Sequence, residues 1–367
     1  MKAEGQPSPA RSLSSLDAAL KEAKAAKRGG QPERYHELVE GLAEWFTPQN
    51  TGEYGEEAEI HGDYPGGDYH GIPMAVGRGS FFMRQIIDRN QKARFIEKCL
   101  PADDPEARFW LDYFHGRIAH PHAGAAINPP LYLIAHPSFS FLLFPYLSPG
   151  AEDEKGLKDR YRTEAKDIVT SLSRFNDANL ANRKAKGHEL ERTEWLRPPE
   201  IPSEAELTEA FPELGHEEQA QAIATIETLA THWKSVKRGL QQLPWSVAHQ
   251  DLGPGNVLFP GKEHVLIDWD NAAIAPLGSD LHTLIRWAPH SLTRSDDRIQ
   301  SLIYRYRKAL VNAACKDEEI ETALWAHFCA RYLRFTKWQS ARHLRTFQLA
   351  IEKSERLLDL VGAKTPS

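Results

Sequence analysis

The segment Trp245–Asp270, WSVAHQDLGPGNVLFPGKEHVLIDWD, gathers three carboxylates and an amide at short spacing: Asp251, Asn256, Asp268 and Asp270. Between them lie two apolar, β-prone runs, Val257-Leu258-Phe259 and Val265-Leu266-Ile267, separated by Pro260-Gly261-Lys262-Glu263, a pattern that predicts a β-hairpin. Asp251 and Asn256 precede the first strand, and Asp268 and Asp270 end the second, so the hairpin would bring all four side chains to one edge. A small set of oxygen ligands on a rigid hairpin suits Mg²⁺, which keeps several waters and shares its shell with substrate phosphates. In such chemistry Asp251 accepts a proton from a substrate hydroxyl, Asn256 and Asp268 hold the metal that bridges nucleotide phosphates, and His249 positions the base. The plain alternative is a hairpin with an Asx turn and two surface acids. Against it stands the whole ordered string, His-x-Asp-x-x-x-x-Asn, strand, turn, and a second strand ending in Ile-Asp-Trp-Asp, which joins motif to context.

HQDLGPGN (His249–Asn256) and LIDWD (Leu266–Asp270) resemble the aminoglycoside phosphotransferase and choline kinase family, small-molecule kinases with a protein-kinase-like fold. The resemblance implies an α+β, bilobal protein-kinase-like fold, with a small five-stranded antiparallel sheet lobe and a larger, mainly helical lobe. It also implies Asp251 as base, Asn256 and Asp268 as Mg²⁺ ligands, Asp280 as the residue that fixes the catalytic loop, and ATP as the phosphate donor. The sequence departs from protein kinases at Gln250, where their catalytic loop has Arg, and at Gly253, where many have Lys. Eleven residues separate Asp268 from Asp280 and no Ala-Pro-Glu follows, which argues against a protein substrate.

The elements that would position these groups can be read from the periodicity. Ser15–Arg28 has strong helix formers and a mostly alanine face, which suggests a surface appendage, and Glu33–Phe46 has a better apolar face. Residues 51–70 read as loop and Met1–Ser12 as disordered. Gly71–Leu100 divides into three strands joined by turns at Gly77-Arg78-Gly79-Ser80 and Asp88-Arg89-Asn90. The first turn has the glycines and hydroxyl that let backbone N–H groups approach phosphate oxygens, although Gly-x-Gly more often marks only a hairpin. One hairpin later, Lys98 puts an ammonium on an apolar strand, where a kinase needs a cation for the α- and β-phosphates; an edge lysine against aggregation is the alternative. Asp104 and Pro105 open a helix with Glu106 in its first turn. The family has a helix here whose Glu pairs with the strand lysine. Leu131–Ala135 and Ser140–Tyr146 complete five strands, and FPYLSPG resembles the hinge that takes the adenine edge.

Beyond Gly150 the pattern is helical: Leu157–Ala181, Glu217–Gln242, Leu281–Ala288, Asp297–Ala314, Glu318–Thr336 and Ala341–Val361, with a polar, proline-containing stretch at 187–212 that reads as irregular. The resulting division is 1–60 as a partly disordered helical extension, 61–147 as a nucleotide-binding lobe and 148–367 as a catalytic and acceptor-binding lobe. His115, His120 and His122 lie in a loop with no Cys or acid beside them in sequence, so solvated histidines are expected rather than a metal set.

With 367 residues, a net charge of -6 and three scattered cysteines, the chain has the make-up of an enzyme with reduced thiols, without a global reason to bind nucleic acid. No apolar run reaches bilayer length and the first thirty residues lack a secretory h-region, so a cytoplasmic protein with no membrane span is expected. No oligomeric state is read from the sequence. The leading function is ATP-dependent phosphorylation of a hydroxyl on a small molecule. The alternatives are a nucleotide-binding pseudokinase regulator, disfavoured by intact Asp251, Asn256 and Asp268, and a lipid or glycolipid kinase. Between Thr322 and Arg345 stand Arg331, Arg334, Lys337, Arg342 and Arg345 with no acid. A solvated helix face explains them most simply. If Arg331 and Arg334, with Asp270, line the acceptor site, an anionic or sugar-like acceptor is favoured over an aminoglycoside or choline.

Overall fold

Runs rich in β-branched and aromatic residues at Phe82–Asp88, Ala93–Pro101, Tyr132–His136 and Phe139–Pro145 form antiparallel strands in the computed structural model. The structure describes residues 13–46, 57–74, 79–119, 126–150, 153–181, 197–261, 264–287, 296–333 and 344–362. Met1–Ser12, Gly77, Arg78, His120, His122, 187–196, Lys262, Glu263, Arg334, Lys337 and Arg342 lie outside them. The chain falls into two compact units, one running to Ile118 and including Asn128–Ser148, the other made of Ala119–Ile127 and the chain from Pro149 onward.

The first unit holds strands β1 (Glu59–Gly62), β2 (Tyr69–Pro73), β3 (Phe82–Asp88) and β4 (Ala93–Pro101). After a short strand β5 (Ala126–Ile127) that belongs to the second unit, β6 (Tyr132–His136) and β7 (Phe139–Pro145) complete the sheet, in the order β1-β6-β7-β4-β3-β2. The sheet therefore has six strands, not five. The additional one is β1, inside the stretch expected to be loop. It pairs with β6 from Glu59↔Ala135 to Gly62↔Tyr132. Its side chains are largely exposed, Ile60 by 41%, so backbone pairing rather than a buried face makes it a strand, and no apolar alternation marks it.

Each face of the sheet takes a helical layer. Cys99 on β4, Phe82 on β3, and Phe139, Phe141 and Leu143 on β7 point to one face, where α1 (Leu13–Arg28) and α2 (Pro32–Ala43) cover them. Phe46 stacks on Phe141 at 4.5 Å with an interplanar angle of 2°. Lys98, Ile96, Leu142 and Phe144 fall on the opposite parity, with α3 (Pro105–Phe114), whose Trp110 meets Phe144 edge-on at 5.5 Å.

The expectation that α1 is a surface appendage is overturned. Leu16, Leu20, Ala23 and Ala26 recur at three and four and are all buried within the aromatic cluster. The alanines lower the apparent amphipathicity, but they also let the helix lie close over large rings below it, which supply the apolar area that the helix lacks. The turn into α2 is closed by Gly30 at φ 66, with Gln31 N–H donating to the Ala26 carbonyl at 3.0 Å. At the end of α1, Lys27 Nζ donates to Ser80 Oγ at 3.0 Å.

In the second unit, α4 (Glu154–Thr163), α5 (Ala165–Ala178), the short strand β8 (Leu180–Ala181), α6 (Glu204–Ala210), α7 (His216–Thr231) and α8 (Trp233–Leu240) precede strand β9 (Trp245–Ala248), with which β8 pairs. The expected single helix across 217–242 is two, meeting at His232, whose N–H and ring both turn back to the Thr228 carbonyl. Ala222, Ile226, Leu229, Trp233, Val236 and Leu240 still form one buried stripe. Helix α6 lies in the stretch expected to be irregular; its signal is the Ser203–Glu206 capping box. Short strands β10 (Val257–Leu258) and β11 (Val265–Leu266) form the hairpin, with β5 parallel to β11, and β12 (Ala273–Pro276) pairs with β9. Among the described residues, helices α9 (Leu281–Trp287), α10 (Asp296–Ala309), α11 (Asp317–Tyr332) and α12 (Leu344–Leu360) follow. Among the described residues, no helix is long and apolar enough to cross a membrane.

Two predictions follow from the position of α1. Leu20→Ala should cost about 2–5 kcal/mol of unfolding free energy in urea, as for a fully buried leucine, whereas a surface helix would lose only a few tenths. Burial, and then the charge of Lys98, lower the Lys27 ammonium to about 8. In the unfolded chain it titrates near 10.4. Between those values the unfolded state binds more protons, so stability rises with pH there. The stability of the protein relative to Lys27→Met should be flat below pH 8 and increase from pH 8 towards 10.4. A difference that is flat over the whole range in denaturant titrations would exclude a half-buried Lys27 with a lowered ammonium.

Candidate active site

Strand β9 is buried at all four positions and delivers the chain into the loop His249–Gly253. A buried acid holds this loop. Asp280 Oδ1 accepts the Gln250 N–H at 2.6 Å and Oδ2 accepts the His249 N–H at 3.1 Å, while the Asn176 side-chain amide donates to Oδ2 at 3.3 Å. Burial raises the Asp280 carboxyl above its ordinary range, and the hydrogen bonds it accepts from the Gln250 and His249 N–H groups and from the Asn176 amide oppose that shift. Gln250 takes a positive φ of 63°, a costly conformation for a side chain of its size, and both its N–H and its amide, which reaches Ser279 Oγ at 2.8 Å, hold it there.

The remaining loop groups are also engaged. Leu252 N–H donates to Thr283 Oγ1 at 3.0 Å, and Tyr161 donates to the Leu252 carbonyl at 2.5 Å. His249, fully buried, lies 4.5 Å from the Trp269 ring. Its Nε2–H donates to the Ile267 carbonyl at 2.8 Å, which leaves Nδ1 to accept the Asp251 N–H at 3.4 Å. His249 thus links the loop to the end of the hairpin rather than facing solvent.

Asp251 is one-third exposed at its side chain. The hairpin register, Val257↔Leu266 and Leu258↔Val265, is continued by Ile267 N–H donating to the Asn256 carbonyl at 3.0 Å. Asn256 therefore stands opposite Ile267, one residue from Asp268. The Asn256 amide nitrogen donates to the Asp251 carbonyl at 2.7 Å, so Oδ1 is the atom with which Asn256 could hold a cation. Asp268 sits at φ 61, the second positive non-glycine φ at this site, which turns its carboxylate out of the strand path. These oxygens fit a hard cation such as Mg²⁺: an amide oxygen and a carboxylate at one end of a short hairpin. Asp270 is half-buried and accepts from the Asn271 amide at 2.6 Å.

Arg331, at the end of α11, donates from Nη1 to the Gln250 carbonyl at 2.6 Å and places Nη2 3.5 Å from Asp251 Oδ1. Nη1 also lies 3.4 Å from His282 Nε2, which can accept because His282 Nδ1–H donates to the Ser279 carbonyl at 2.6 Å. Burial, then the Arg331 charge, push the His282 imidazole well below its ordinary range, so the ring is neutral. A solvated helix face was the simplest reading of the basic stretch, with Arg331 at an acceptor site as the conditional one; its guanidinium is bonded to the loop that carries Asp251, and Arg334 lies outside the described residues.

In the first unit, Lys98 Nζ forms a buried ion pair with Glu106 Oε2. Asp104 caps α3 by accepting the Glu106 N–H at 2.9 Å, and Trp110 Nε1–H reaches Glu106 Oε1 at 3.4 Å. Ser80 is buried, and a Cβ on Gly79 would come within 3.2 Å of Asp104 Oδ2, so the turn runs close to the head of α3. Lys27 joins this cluster through Ser80 and was not foreseen, because its helix carried no strong apolar signal. Thr283, Tyr161 and Asn176 were also missed; each is an ordinary helix residue until the fold brings it to the loop.

A family profile described as the phosphotransferase enzyme family matches residues 110–301, just over half of the chain. No curated protein matches the sequence. Among solved structures, an aminoglycoside phosphotransferase from Alicyclobacillus acidocaldarius is 15% identical with a TM-score of 0.46, covering 86% of this chain and 96% of that one. A choline/ethanolamine kinase family protein from Mesorhizobium loti is 12% identical with a TM-score of 0.47, covering 89% and 98%. A choline kinase from Cryptosporidium parvum is 13% identical with a TM-score of 0.45, covering 88% and 96%. The profile match takes in α3 from Trp110 and every residue from His249 to Asp280, the hairpin included, and on it the chain belongs to the phosphotransferase enzyme family.

Proposed function

We propose that the chain transfers the γ-phosphoryl group of ATP to a hydroxyl of a small molecule of the sugar, amino-sugar or alcohol type. Asp251 accepts the hydroxyl proton as the new O–P bond forms and the β–γ bridging oxygen departs with ADP. Asn256 Oδ1 and the Asp268 carboxylate would hold Mg²⁺, which neutralises charge on the β- and γ-phosphates when bound. Lys98, oriented by Glu106, is the cation for the α- and β-phosphates, and Gly79 and Ser80 offer backbone N–H groups to them. His249 acts as a positioning residue. Three cysteines without disulfides fit a cytoplasmic setting, where ATP is supplied.

The observation that carries this reading is the open end of the β10–β11 hairpin. Its register sets Asn256 one residue from Asp268, and the Asn256 amide nitrogen ties the same end to the Asp251 backbone. Proton acceptor and cation ligands thus share one hydrogen-bonded frame, as in-line transfer requires.

Arg331 bears on the acceptor. A guanidinium beside Asp251 offers charge-assisted hydrogen bonds to a phosphate or carboxylate and repels an ammonium. An anionic or neutral polyol acceptor therefore fits better than an aminoglycoside or choline.

Two experiments test these assignments. Asp251→Asn should lower kcat by about 10²–10⁴-fold with Mg-ATP affinity nearly unchanged, whereas Asp268→Ala should weaken Mg²⁺-dependent nucleotide binding. Near-normal turnover of Asp251→Asn with the best acceptor would sink the assignment of the base. In a screen of alcohol, amino-sugar and sugar-phosphate acceptors that follows ADP release, polyols and anionic sugars should exceed kanamycin-like and choline-like compounds. Arg331→Ala should lower kcat/KM for the preferred acceptor about tenfold or more, the worth of one charged hydrogen bond. Efficient phosphorylation of choline or of an aminoglycoside would refute the acceptor assignment alone.

A further inference from the structure

We propose that Glu59, His61 and His115 form a divalent transition-metal site on the first unit, with Zn²⁺ as its best match. Glu59 and His61 alternate on β1 and so share one face of the strand, and His115 caps the C-terminal end of α3, its N–H donating to the Leu111 carbonyl at 3.0 Å. His115 Nε2 lies 2.9 Å from Glu59 Oε2, and His61 Nε2 lies 3.3 Å from the same oxygen. One ligand atom from each residue falls within 4.8 Å of the other two. A tetrahedral ion with bonds of about 2.0–2.1 Å separates its ligand atoms by roughly 3.3 Å. The cluster is therefore already close to coordination spacing, and only small side-chain movements are needed to admit an ion.

Packing fixes the imidazoles. The His61 ring stacks on Phe114 at 5.1 Å with an interplanar angle of 17°, and it meets the His115 ring edge-on at 5.6 Å. Hydrogen bonding from His115 is the main influence that keeps the Glu59 carboxyl below its usual range, so the site presents a carboxylate at neutral pH. Two imidazole nitrogens with one carboxylate oxygen suit Zn²⁺; Mg²⁺ and Ca²⁺ select oxygen-only shells. The side chains of His61 and His115 are 24% and 25% exposed, so the fourth position opens to solvent and would take water or a small anion. A bound ion would tie the outermost strand, β1, to the end of the helix whose first turn holds Glu106 against Lys98. The inference does not depend on the phosphotransfer reading, since none of these three residues has a role in it.

The test uses full-length protein stripped with a chelator, then titrated with ZnCl₂ by calorimetry and with CoCl₂ by visible absorption. Stoichiometric Zn²⁺ uptake in the presence of excess Mg²⁺ is expected, with a rise in Tm of about 4 °C and intense Co²⁺ d–d bands of four-coordination. Glu59→Gln and His115→Ala, checked for native circular dichroism, should each lower Zn²⁺ affinity at least about a hundredfold, because losing even an outer partner of a metal ligand costs 10–100-fold. Absence of stoichiometric uptake, or a loss under tenfold in both variants with the Co²⁺ bands intact, would overturn the proposal and, in the second case, assign the ion to other histidines.

Discussion

The site is organised by a carboxylate that does not face solvent. Asp280 is 1% exposed and takes two consecutive backbone N–H groups of the 249–250 segment on its two oxygens. Satisfying both donors from one side chain forces the peptide planes to converge, which is the geometric reason that Gln250 adopts a left-handed backbone and that Asp251 is turned outward. The acid is in turn fixed from behind: Asn176 donates to Asp280 and to the Val247 carbonyl, and its Oδ1 accepts from Tyr306, whose hydroxyl accepts the Gly278 N–H. Gly278 is at φ 91, and a Cβ there would meet Ile320 at 2.8 Å, so no other residue fits that corner. Removing the acid would leave several buried donors without acceptors, a larger loss than any one of its hydrogen bonds is worth.

What the sequence made legible was local. Asp251, Asn256 and Asp268 lie within one hairpin and its approach, so period-two runs and a turn sufficed to bring them to the same end. Lys98 and Glu106 were also within reach of short-range reasoning, since a strand, a Pro105 start signal and a first-turn acid stand within a few residues. Contacts made across the chain left no such trace. Arg331 reaches Gln250 over 81 positions, and Asn176 reaches Asp280 over 104. In the sequence Arg331 was one member of a basic stretch, and nothing about a single arginine says that its guanidinium closes on a backbone carbonyl.

The misreadings share a physical cause. Helix α1 was set aside because alanine adds little apolar area, but burial depends on the partner surface as well, and the rings of Phe46, Phe82 and Phe141 were unassigned to that face. Strand β1 was read as loop because an edge strand with exposed side chains is held by main-chain bonds, which every residue can make. His115 was read as a solvated histidine because no Cys or acid completed a set around it; Glu59, whose carboxylate its Nε2 meets, is 56 positions away and arrives only when β1 pairs with β6.

The strand order has a consequence for how the first unit opens to water. In β1-β6-β7-β4-β3-β2, the strands β7 and β4 lie at the centre, each two strands from its nearer edge, with helices over both faces. Local fraying begins at the exposed edges and frees β1 and β2 first, whereas the amides of β4 are released only when the sheet separates through its middle. Lys98 therefore rides on backbone whose hydrogen exchange is governed by cooperative opening of the unit, and Ser80, buried and bonded to Lys27, is joined to it through the Phe81 N–H that donates to the Cys99 carbonyl.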